Sequence, residues 1–158
     1  MRRSLVPAAL LLVALAACGR EPAFPDRTAR ITIGDRTTTF TIDACGLEGQ
    51  TFRLAGRTES GAVLQATVGV EGDGETGVPR STGLTVYGYD QVDLAAFGDE
   101  SWARRGKDGD APGGVETARI RGARVQASGE AAVVDADEVP TGDQLLPFSL
   151  DARCDEPG

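Results

Sequence analysis

From Arg30 onward, apolar residues recur at every second position, and this alternation constrains the fold more than any other feature of the chain. A period of two places alternate side chains on opposite faces of an extended strand, so one face can be buried while the other stays wet. Ile31 and Ile33 alternate with polar neighbours, and Gly34-Asp35 reads as a tight turn. Phe40, Ile42 and Ala44 then share one face, opposite Thr39, Thr41 and Asp43, in a strand ending at Cys45-Gly46. Three consecutive threonines, Thr37 to Thr39, favour strand over helix because their branched side chains are stiff. Phe52 with Leu54, and Leu64 with Ala66, Val68 and Val70, continue the pattern on either side of a turn at Glu59-Ser60-Gly61.

The second half is less regular. Residues 71–83 read as a glycine-rich loop, and Leu84 to Tyr89 as a strand with apolar residues on both parities. Residues 90–97 fit either a short helix or a strand, and 98–114 read as the longest irregular stretch, polar except for Trp102. Residues 115–134 suggest a strand pair bulged near Gly129, and 135–144 an acidic loop. Leu146, Phe148, Leu150, Ala152 and Cys154 share one parity in a closing strand. The expected fold is all-β: an antiparallel sandwich or curled sheet of seven to eight strands, with at most one short helix.

Composition narrows the chemistry. The 158 residues carry a formal net charge of -8 and no histidine. An acidic surface repels nucleic acid and anionic lipid alike. Without imidazole, Ser-His-Asp and Cys-His catalysis are excluded, and the usual zinc and copper sites are disfavoured. No phosphate-binding glycine loop or nucleophile elbow is present, so no cofactor, no metal and no enzymatic activity are expected.

Residues 1–18 carry an address rather than a chemistry. Arg2 and Arg3 precede an apolar run from Leu5 to Ala17, too short to span a bilayer core but the right length for an export signal. It ends in Leu15-Ala16-Ala17-Cys18, which resembles the lipobox of bacterial lipoproteins. The resemblance implies cleavage before Cys18, a thioether-linked diacylglyceryl group on Cys18, and usually an acylated (palmitate-type) amino terminus. More than one acyl chain anchors a protein stably. The expected place is the extracytoplasmic side of the cell membrane. The organisation follows: residues 1–17 a signal peptide, 18–29 a tether, 30–158 one β domain. The tether, with Pro22 and Pro25, shows no periodicity. Loss of Arg2 and Arg3 takes the net charge to -10.

With Cys18 lipidated, Cys45 and Cys154 remain as an even pair in an oxidising setting, where a disulfide is the default. A redox-active pair is the alternative, against which the absence of Cys-x-x-Cys spacing argues.

The lipobox, the tether, Ile31-Thr-Ile-Gly-Asp35 and the strand ending at Cys45 resemble the mycobacterial 19-kDa lipoprotein antigen family. So do Ala127-Ser-Gly-Glu-Ala131 and the closing Phe148-Ser-Leu-Asp-Ala-Arg-Cys154. The middle of the chain fits that family only loosely. The resemblance implies a β-rich, disulfide-bonded, anchored domain without catalytic residues. Together with the strong preference for Arg over Lys, it implies an actinobacterial source.

Three sets of residues compete for a functional role. Trp102, beside Arg104 and Arg105 in a polar loop, is the candidate binding group, because exposed Trp near Arg is typical of recognition surfaces. The competing reading folds Trp102 back over a sheet edge. The acidic runs Glu71, Asp73, Glu75 and Asp135, Asp137, Glu138 could bind calcium or supply a carboxylate pair, but in an acidic chain they read first as solvated loops. Tyr87 and Tyr89 read as packing residues. The favoured function is a non-catalytic envelope lipoprotein that binds a protein, glycan or lipid at the cell surface, or serves a structural role there. The alternative is a carrier holding an apolar ligand inside the β domain; an aromatic content of 5% argues against a large lined pocket.

Overall fold

Nine strands pair in a single antiparallel sheet, and that sheet closes on itself. The computed structural model describes residues 24–155; Cys18 and the export segment lie outside them. The strands are β1 (Thr28–Ile33), β2 (Arg36–Glu48), β3 (Thr51–Arg57), β4 (Val63–Glu71), β5 (Thr76–Tyr89), β6 (Val92–Phe97), β7 (Gly114–Arg121), β8 (Arg124–Val134) and β9 (Pro140–Arg153). One short helix, α1 (Asp99–Arg104), joins β6 to β7. Hydrogen-bonded neighbours run β6-β5-β4-β3-β2-β1-β9-β8-β7, and β6 also pairs with β8 through Asp93↔Val134, Leu94↔Val133 and Ala95↔Ala132. Eight strands therefore form a ring, with β7 lying along the part of β8 that β6 leaves free. The β6–β8 seam covers edges that would otherwise template pairing with other chains.

β7 also approaches the first half of β5. Ile120 donates its backbone N–H to Glu75 O at 3.0 Å. Gly77 permits this contact, since a Cβ there would sit 2.6 Å from the Ala118 carbonyl carbon.

The alternating residues point inward as expected. Ala29, Ile31, Phe40, Leu64, Val68, Val86, Val125 and Ala131 are fully buried, and Phe52, Leu54, Phe148 and Leu150 nearly so. They fill the ring with one continuous apolar core.

Several sequence expectations are refined or corrected. Among the described residues there are nine strands rather than seven to eight. Residues 76–83, expected as loop, are the first half of β5, and only 72–75 turn. The segment 90–97, readable as helix or strand, is a turn followed by β6, in which Leu94 and Ala95 pair with β5 on one side and β8 on the other. The acidic loop is confined to 135–139; from Pro140 the chain is already β9. The ordered domain also starts earlier than expected, with Thr28 in β1.

Part of the expected tether is docked. The Phe24 ring lies 4.8 Å from the Arg30 guanidinium carbon and 5.6 Å from that of Arg124. Arg153 donates to Asp26 at 2.6 Å, and Arg27 donates to Asp155 at 2.9 Å and to the Asp43 carbonyl at 2.7 Å.

Candidate functional site

Cys45 and Cys154 are bonded, with Cα atoms 6.2 Å apart and 109 residues between them in sequence. A bulge makes this pairing possible. Strict alternation from Phe40 and Ile42 would put Ala44 inside and Cys45 outside. The β2–β3 register shifts between Ile42 and Ala44, so Cys45 lies opposite Leu54, whose side chain faces the core. One extra residue reverses the parity of everything after it. Ala44 is exposed, and Cys45 turns toward the buried Cys154. The bridge ties β2 to the end of β9, across β1.

Trp102 is not a surface anchor. It sits in α1 at 6% exposure, with its ring centroid 5.3 Å from that of Phe97. With Ala95, Phe97, Ala132 and Val134 it forms a second apolar cluster on the outside of the ring, packed by Ala111. The reading of Trp102 as an exposed binding group is therefore corrected, and the competing reading, in which it folds back over the sheet, holds. β6 and β8 are apolar on both parities at their junction, and the outward set needs a cover. The indole supplies it. Gly83 lets the cover close, since a Cβ there would clash with the Phe97 ring and the Ser101 hydroxyl.

Arg104 and Arg105 hold the helix from two sides. Arg104 donates from one nitrogen to Ser81 Oγ at 2.8 Å and to Glu100 Oε2 at 2.9 Å. Ser81 in turn donates to Glu100. That hydroxyl bond is the main cause holding the Glu100 carboxyl below its ordinary pKa of 4.5; Arg80 and Arg104 add to it, and partial desolvation opposes it. On the other side Arg105 pairs through two nitrogens with Glu138, and its guanidinium carbon lies 5.0 Å from the Phe97 ring centroid. Tyr87 donates to the same carboxylate at 3.1 Å. Glu138 is 4% exposed, so its charge is compensated by Arg105 rather than by water.

The acidic runs build turns. Asp135 Oδ1 accepts the backbone N–H of Asp137 and of Val139, each at 2.9 Å, and Asp73 Oδ1 accepts that of Glu75 at 2.9 Å. Among the described residues, no three His, Cys, Asp or Glu gather as metal ligands.

A groove of about 310 Å³ runs along the outer face of β3, β4 and β5 against α1. Gln65, Thr67 and Thr85 form its floor, Thr51 and Arg53 one wall, and Ser101, Arg104 and Arg105 the other. The alternation that predicts the interior gives no warning of it, because the groove is made from the outward residues of three strands and a helix not adjacent in sequence. No protein-family model and no curated protein matches the chain.

Proposed function

We propose that this chain is a lipid-anchored envelope protein on the extracytoplasmic side of the membrane, similar to the 19-kDa lipoprotein antigens, whose β domain binds rather than catalyses. The observation that carries the reading is the Cys45–Cys154 bridge. Structural disulfides belong to exported, oxidising settings, and the lipobox at Cys18 names the same setting independently. The docked residues sharpen the geometry. Phe24 is pinned against the ring, so five residues, 19–23, separate it from Cys18. That length reaches at most about 20 Å. The domain then rides close to the lipid surface, with the Arg30–Arg124–Arg153 end nearest to it.

The carrier alternative needs room inside the ring. Phe40, Ile31, Ile42, Leu64, Leu84 and Leu94, all less than 2% exposed, occupy that interior. Binding is therefore assigned to the outer face.

Cys18→Ser tests the anchor. The account expects the wild-type chain in the membrane fraction and the variant in the soluble exported fraction. Equal membrane retention of the variant, with unchanged mass, would refute the anchor.

A further inference from the structure

We propose that the groove between β3–β5 and α1 binds a small polyhydroxylated anion, one bearing a carboxylate or a phosphate. Its walls carry Arg53, Arg104 and Arg105; Arg104 and Arg105 are paired with Glu100 and Glu138, which leaves Arg53 as the cation with least engagement by the protein. Arg53 is the uncommitted member. Its ionic neighbour, Glu48, lies at 4.0 Å, too far for a hydrogen bond, and its side chain is 67% exposed. Arg104 engages Ser81 and Glu100 through one terminal nitrogen, which leaves other guanidinium donors for a ligand.

The floor supplies an independent observation. Thr85 and Ser101 line the groove at 3% and 9% exposure, and their hydroxyls make no side-chain hydrogen bond among the described residues and stay open to the groove. Flanked by the Gln65 amide and the Thr67 hydroxyl, they offer the alternating donors and acceptors that a polyol can use. Arginine recognises the planar fork of a carboxylate or the oxygens of a phosphate. The Phe97 ring at the groove already has the Arg105 guanidinium 5.0 Å from its centroid and the Trp102 ring at 5.3 Å, contacts that compete with stacking of a neutral sugar. The volume suits a ligand the size of one sugar ring.

The inference concerns the folded domain and stands whether or not Cys18 carries lipid. It is tested by amide chemical-shift titration of the full mature chain in detergent with four probes: D-glucuronate, D-glucose 6-phosphate, D-glucose and inorganic phosphate. Saturable shifts at Thr67, Thr85 and Ser101 are expected with one or both sugar anions. Which of them binds tighter separates a carboxylate from a phosphate ligand. Arg53→Ala breaks no buried contact and should weaken binding by about tenfold. Thr85→Val should weaken it by a smaller factor. The proposal is overturned if glucose binds as well as the sugar anions, or if inorganic phosphate alone matches them, which would mean an adventitious ion only. It is equally overturned if neither sugar anion gives saturable shifts, or if Arg53→Ala leaves binding unchanged.

Discussion

The ring interior and the cluster beneath α1 are both apolar cores, but they are built by different rules. The interior draws one side chain in two from every strand and is held by ladders on all sides. The outer cluster draws on β6 and β8 alone and is covered by a six-residue helix and the segment after it. A helix of that length has no stability of its own, so packing and the two arginine contacts must hold it. The interior should therefore open only with global unfolding, and the α1 cover should open locally at lower cost.

The largest expected effect falls on the interior. Phe40→Ala should cost roughly 3–5 kcal/mol in denaturant unfolding, because a fully buried ring leaves a cavity the closed sheet cannot collapse around. Reducing the Cys45–Cys154 bridge comes next, at about 2–5 kcal/mol for a loop this long; the unfolding midpoint with and without reductant measures it. Trp102→Ala should cost about 3 kcal/mol. Its signature differs: hydrogen exchange should speed up across residues 98–113 and at the β6–β8 seam, while the β1–β2–β9 amides stay protected. Uniform acceleration instead would merge the two cores into one. Arg105→Ala leaves the Glu138 carboxylate buried without its cation, and should cost about 1–3 kcal/mol, with Glu138→Gln in the same background restoring part of it.

The smallest effect is a pH dependence on the other side of α1. The Glu100 pKa is lowered in the folded state, so its contribution is fully present above the ordinary value of 4.5 and fades as pH falls through the lowered folded value. A carboxyl titration followed by NMR should show Ser81→Ala raising the Glu100 pKa toward the ordinary value, because the hydroxyl bond is the leading cause of the shift.

The alternation from Ile31 to Val70 made the interior legible, since period two is a local property of each strand. What stayed hidden depended on distant pairings. Leu94-Ala95-Ala96-Phe97 and Ala131-Ala132-Val133-Val134 are continuous apolar runs, the mark of strands buried on both faces. Read together with the isolated Trp102, they contain the signal for the outer cluster, but only once β6 is known to meet β8. Residues 76–83 look like loop because Gly77, Pro79 and Gly83 suppress strand propensity; close approaches to Ala118 and Phe97 require two of those glycines. The disulfide was readable from cysteine arithmetic, whereas the bulge at Asp43 that aims Cys45 inward was not, since no local residue choice marks it.

The central claim is that this ring is an exported domain held to the membrane by lipid on Cys18. Mass spectrometry of the amino-terminal peptide from membrane-extracted protein tests it most directly. The account predicts a peptide beginning at Cys18 and carrying the added mass of a diacylglyceryl group. A peptide that retains residues 1–17, or one in which Cys18 is unmodified, would contradict it.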